Sequence, residues 1–146
     1  IGVRLVGSEM CIRDSHYMIG VIANGKSKIK QFRLHSLGIM HVINYLTTSE
    51  TVGYRKPHPK IFEDMIDQLG VKPSEIMYVG DDALNDVAPA RAMGMVSVWY
   101  KQEDAELEPL TEEVDYTITT IEELLKILPD NFETEGEEQH GNGFNY

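Results

Sequence analysis

Gly80-Asp81-Asp82-Ala83-Leu84-Asn85-Asp86 sets three carboxylates close together, directly after the apolar run Ile76-Met77-Tyr78-Val79. Carboxylates so crowded repel one another, and a nearby cation relieves the repulsion. Oxygen ligands on a short loop suit magnesium, a hard ion that keeps several waters and takes one or two protein carboxylates. Asp81, at the strand tip, is the candidate ligand. Asp82 reads better as a charge at a helix N-terminus, where the helix dipole favours it. A candidate cation lies upstream, Lys56 in Tyr54-Arg55-Lys56-Pro57-His58-Pro59. Its prolines stiffen the loop, and an ammonium held near a phosphoryl group would neutralise developing charge. Away from such neighbours it would be an ordinary surface lysine. Asn24-Gly25, after the run Tyr17 to Ile22, could offer backbone N–H groups to an anion at a helix start. The same dipeptide is also a common tight turn. His58, Arg55 and the single Trp99 have no partner that spacing identifies, and His58 reads as a loop residue rather than a base.

The elements that must position these groups alternate. Tyr17 to Ile22 is a continuous apolar run, as a strand buried on both faces requires. Ile29, Phe32 and Leu37 fall on one face of a predicted helix, with Gly38 placed to end it in the left-handed conformation. Ile43 to Thr47 is a weaker strand. Pro57 and Pro59 predict an extended loop, since proline disfavours helix for the residue before it. Ile61, Phe62, Met65, Ile66 and Leu69 then predict an amphipathic helix closed by Gly70. Ile76 to Val79 is the next strand, followed by a helix through Val87, Ala90 and Met93 up to Gly94, then a strand at Val96 to Trp99. The stretch from Lys101 to Asp115 reads as loop, Tyr116 to Ile118 as a short strand. Thr120 and Glu123 suggest a capping box for a last helix ended by Pro129. Alternation of this kind implies an α/β fold, a mainly parallel sheet with helices on both faces. Ligand loops of such sheets gather at the carboxyl ends of the strands. Ala23-Asn24-Gly25, Gly53 to Pro59 and Gly80 to Asp86 should therefore share one edge.

The 146 residues allow one compact domain. A formal net charge of −11 without a basic stripe argues against nucleic acid as a partner. No apolar run approaches the roughly 20 residues of a membrane span, and the start does not read as a signal peptide. The single cysteine, Cys11, suits a reducing compartment, so the cytoplasm is expected. Residues 1–15 lack any clean period. The segment Gly7 to Ser15 resembles translated adaptor sequence, and we set 1–15 aside as a leader that is irregular or not native. Residues 16–129 form the expected domain. Residues 130–146, with five carboxylates and no Lys or Arg, should be a disordered acidic tail. Nothing in the pattern specifies an oligomer.

Taken in order, the three junctions resemble three motifs of the haloacid-dehalogenase-like (HAD) hydrolase superfamily, in its phosphatase-like subtype with an inserted helical cap. Lys56-Pro57-His58-Pro59-Lys60-Ile61-Phe62 resembles its lysine motif. Tyr78 to Val87, continuing into Ala90-Arg91-Ala92-Met93-Gly94-Met95, resembles its acidic motif. The likeness runs from about residue 17 to 128 and implies a Rossmann-like core. It also implies phosphate monoester hydrolysis of a small phosphorylated metabolite, through an aspartyl phosphate and with magnesium. By the same resemblance Asp81 would ligate Mg2+, and Asp86 would hold Lys56 or a metal-bound water. Lys56 would stabilise the nucleophile and the transferring phosphoryl, while Ala23, Asn24 and Gly25 would form the phosphate-binding turn, with the Asn24 N–H donating.

Two departures stand out. Ala23 occupies a position where the superfamily usually has Ser or Thr, and a lost hydrogen bond to a charged group costs about 1.5–3 kcal/mol. The nucleophile motif Asp-x-Asp occurs nowhere in the chain. The resemblance then implies that the central strand and the cap are missing, so the core is N-terminally truncated and inactive as it stands. A non-catalytic binding or regulatory module on the same fold is the alternative. A phosphoacceptor signalling domain would place its acidic pair before the lysine, and a dinucleotide-binding domain would need Gly-x-Gly-x-x-Gly. A missing central strand leaves two unpaired edges inside the domain. We therefore predict broad, weakly cooperative thermal unfolding and poor solubility. A sharp melt from a monomer would contradict this.

Overall fold

The computed structural model describes residues 17–103 and 114–128, so the expected leader and acidic tail lie outside the described residues. Strand β1 (Gly20–Ala23) pairs in parallel with β2 (Tyr45–Thr48), Gly20 opposite Tyr45. Helix α1 (Ser27–Ser36) and a 3-10 turn at Met40–Val42 connect them. A short helix α2 (Ser49–Val52) follows, then α3 (Pro59–Leu69). Strands β3 (Met77–Gly80), β4 (Val96–Tyr100) and β5 (Tyr116–Ile118) form a second, wholly parallel sheet in that order. A wide π turn at Ala83–Val87 and helix α4 (Ala88–Ala92) join β3 to β4. A 3-10 turn at Ile121–Glu123 and helix α5 (Leu124–Ile127) complete the described chain.

Side chains along the strands alternate between two apolar layers, as a pleated strand requires. Met77 and Val79 face a cluster with Leu34, Val42, Val98, Ile118 and Leu124. Ile76 and Tyr78 face the other cluster, with Ile61, Phe62, Met65 and Ala90. Ile19 and Leu46 join the first layer, and Ile22 and Tyr45 the second, so both sheets share the same two cores. The parallel, two-sided α/β architecture is thus the one the sequence implies. Among the described residues β1 and β3 each have a single sheet neighbour.

Helix α3 forms where its period predicts. Pro59 stands at the helix start, His58 Nδ1 accepts from the Lys60 N–H at 3.1 Å, and Gly70 closes it at φ +67°. Proline costs nothing in the first turn, whose N–H groups lack helical partners in any case. Helix α1 departs from expectation. Ile29, Phe32 and Leu37 are exposed, and Leu34 is the buried residue. Lys, Gln, Arg and His ring most of this helix, so its few apolar residues did not define a face. Packing against Ile39 and Val42 selects Leu34 instead. The capping box expected at Thr120 is also displaced: the Glu123 carboxylate accepts from the Thr119 N–H and hydroxyl, each at 3.2 Å. The small helix α2, unanticipated, starts at the Thr48 side chain, which accepts from the Thr51 N–H.

Strand β4 is hydrogen-bonded on both sides, by β3 and β5. Its amides, Val98 in particular, should exchange with deuterium more slowly than those of β1 and β3. Equal protection in β1 would mean that its second edge is covered.

Candidate active site

Three junctions meet at the carboxyl ends of β1, β2 and β3. Lys56 Nζ lies 2.6 Å from Asp86 Oδ1, with side chains only 12% and 6% exposed. The same oxygen accepts from the Tyr78 hydroxyl at 3.0 Å, while Oδ2 takes a long contact from the Asp82 N–H. Burial, and then the negative charge of Asp86, push the Tyr78 phenol well above its ordinary value, so it stays a donor. Asp86 can approach the strand because Gly80 has no side chain. A Cβ on Gly80 would stand 2.4 Å from Asp86 Cβ, closer than any real contact.

Asn24 ties the first junction to the second. Its Oδ1 accepts from the Lys56 N–H at 2.8 Å, and its Nδ2 donates to the Lys56 carbonyl at 3.3 Å. Two bonds from one amide side chain fix the Lys56 backbone to the end of β1. The loop carrying Lys56, whose Lys56–Pro57 peptide is cis, is braced further by stacking of Tyr54 on His58, with ring centroids 4.2 Å apart. The Gly25 N–H donates to Ser49 Oγ at 2.8 Å and the Ser27 N–H to Glu50 Oε2 at 2.7 Å. The turn after β1 is therefore held by α2, and Ala23 beside it is 1% exposed.

The acidic run divides its duties. Asp82 caps the π turn, its Oδ1 accepting from the N–H groups of Leu84 and Asn85 at 3.0 and 2.9 Å. Asp86 is paired with Lys56. Asp81 Oδ2 accepts from Gln102 Nε2 at 3.1 Å, and its carbonyl accepts from Trp99 Nε1 at 3.0 Å. Among the described residues no group of three or more His, Cys, Asp or Glu is arranged to hold a metal. The mutual repulsion expected of this run is relieved in part by the Lys56 ammonium on Asp86 and by backbone amides on Asp82. Asp81 remains a single carboxylate at the strand tip, within the one or two that magnesium takes.

The structure brings together Lys56, Asp86 and Asn24, and sets Asp81 at the end of the same strand. Sequence reasoning missed the Asn24 side chain, Tyr78, and the Trp99–Asp81 contact. Tyr78 carried a signal: a tyrosine inside an otherwise aliphatic strand needs a hydroxyl partner. Asn24 carried none, because its partner is 32 residues away and is backbone.

Residues 10–100, well over half the chain, match the family model described as haloacid dehalogenase-like hydrolase. The chain belongs to this family. It is 36% identical over 120 residues to a glyceraldehyde 3-phosphate phosphatase of Pyrococcus furiosus, covering 80% of this chain and 50% of that one. It is 32% identical over 111 residues to a pyrimidine 5'-nucleotidase of Escherichia coli, covering 75% and 49%. A crystal structure of a HAD phosphatase from Thermococcus onnurineus superposes with a TM-score of 0.76 at 32% identity, covering 84% of this chain and 55% of that one. The chain thus spans about half the length of the HAD relatives it matches.

Desolvation works against the Asp82 carboxylate, but hydrogen bonds from Asn85 and Leu84, aided by the charge of Lys56, hold it below the ordinary 3.8. A carboxylate depressed in the fold contributes stability above its unfolded pKa, and the contribution fades as pH falls through the folded value. Asp82→Ala should cost about 0.5–2 kcal/mol at pH 7, as for other lost N-caps. In urea melts the gap from wild type should narrow below the ordinary carboxylate pKa of about 4. A gap independent of pH would exclude the capping role.

Proposed function

We propose that this chain supplies the phosphoryl-neutralising half of a magnesium-dependent phosphate monoester hydrolase. The observation that carries the reading is the Lys56–Asp86 pair, at 2.6 Å, stitched through Asn24 to the end of β1. An ammonium already desolvated and fixed needs little reorganisation when charge develops on a transferring phosphoryl group. In the whole protein an aspartate would attack phosphorus, and water would then hydrolyse the aspartyl phosphate. Lys56 would hold the nucleophile and the phosphoryl oxygens, and Asp86 would hold Lys56. The Asn24 N–H, in the turn Ala23-Asn24-Gly25, would donate to a phosphoryl oxygen. Asp81 would take Mg2+, which when bound would offset phosphoryl charge.

The substrate class is a small phosphorylated metabolite, and support comes from the relatives named as glyceraldehyde 3-phosphate phosphatase and pyrimidine 5'-nucleotidase. We place the protein in the cytoplasm, on the strength of its single cysteine. Among the described residues no helix is long and apolar enough to cross a membrane. A second reading, a non-catalytic binding or regulatory module, draws on Ala23: its methyl, 1% exposed, stands where the family resemblance has a hydroxyl. The chain contains no Asp-x-Asp, so on our reading it is inactive alone.

The full-length gene product, assayed on p-nitrophenyl phosphate, should hydrolyse it with Mg2+ and fail after chelation. Lys56→Met should lower kcat by about 10²–10³, the loss typical of a removed charge-stabilising donor. Equal inactivity with and without magnesium would favour the binding module.

A further inference from the structure

Lys30 lies one turn into α1, its N–H bonded to the Lys26 carbonyl at 3.1 Å. Its side chain folds back across the turn after β1. A Cβ placed on Gly25 would stand 3.0 Å from Lys30 Cε and 3.6 Å from Nζ. Gly25 also has φ +126°, a conformation L side chains rarely adopt, so glycine both permits the turn and leaves the lysine its path. Among the described residues the Lys30 ammonium makes no hydrogen bond or ion pair. Its neighbours are cationic instead. Partial burial, then Arg33 and Lys56, hold its pKa below the ordinary value. Meanwhile Asn24, adjacent to Gly25, grips the Lys56 backbone on both sides. An ammonium laid over the turn after β1, with no counter-ion among the described residues and under the influence of another cation in a chain of net charge −11, favours an anion at that turn.

We propose that Lys30, reaching over Gly25 toward Lys56, is a second cationic arm of the phosphate cradle. It binds the phosphoryl dianion where Ala23 offers no hydroxyl. This deepens the proposed function and rests on it. Lys56 meets the anion from the Asp86 side, held rigidly; Lys30 meets it from α1, through a flexible stem that the anion orders. Lys28, exposed on the same helix, takes no part.

Trace acetylation of the full chain, read by mass spectrometry with and without inorganic phosphate, tests this. Lys30 should react faster than Lys28. Phosphate should slow Lys30 and Lys56 together and leave Lys28 unchanged. In Lys30→Met the phosphate concentration that half-protects Lys56 should rise about tenfold, the order expected for one lost charge-assisted contact. Lys30→Arg should restore most of it, and Lys28→Met should change nothing. Protection of Lys56 alone, or an unchanged phosphate requirement in Lys30→Met, overturns the inference and leaves the phosphate site standing. Protection of neither lysine overturns both.

Discussion

The site depends on one contact, the Lys56 ammonium against the Asp86 carboxylate, nearly out of water at 2.6 Å. A pair of this kind adds little net stability, because desolvating two ions offsets most of their attraction. Removing one partner is a different matter, since it strands a buried charge at about 3–5 kcal/mol. The contact is therefore better understood as a constraint on position. It holds the 53–59 loop to the end of β3, and its geometry is possible only because Gly80 lacks a Cβ. Tyr78 takes a further share of the same carboxylate oxygen and limits its rotation.

The fold serves that constraint from both sides. Helix α3 begins immediately after the lysine loop and buries Ile61 and Phe62 completely, so the loop's exit is anchored in the core. The loop's own backbone is anchored by Asn24 at the end of β1. Two sheets with no ladder between them among the described residues are thereby connected through side chains at one edge, and through two common apolar layers behind it. Among the described residues no ladder joins β1 to β3.

Much of this was legible in the sequence, unevenly. Buried strands and α3 were readable because their patterns are strong: continuous apolar runs for β3 and β4, a clean helical period with proline at one end and glycine at the other for α3. Helix α1 was readable as a helix but not for its buried face, because tertiary packing against Ile39 and Val42 outvoted a weak period. The short helix α2 has only four residues, too few for any period to register. In the site, residue types and their order pointed to Lys56, Asp81 and Asp86. What the sequence could not convey was the division of labour among the carboxylates, since that depends on contacts distant along the chain. Asp86 meets a lysine 30 residues away, and Asp81 a glutamine 21 away.

That division changes the role expected of a metal. If three carboxylates shared one unrelieved patch, the domain would need a cation to fold, and the ion would be structural. Instead Asp82 is satisfied by amides and Asp86 Oδ1 by Lys56 and Tyr78, which leaves Asp81, with one exposed glutamine contact, the least committed of the three. Its backbone is already fixed by the Trp99 indole, and its carboxylate is steadied by one exposed glutamine contact that a hard cation can displace. On the reading proposed above, such a carboxylate would admit and release magnesium without disturbing the Lys56–Asp86 pair. The electrostatic work on a phosphoryl group would then rest on fixed lysine charge, with the metal as a second, exchangeable contribution.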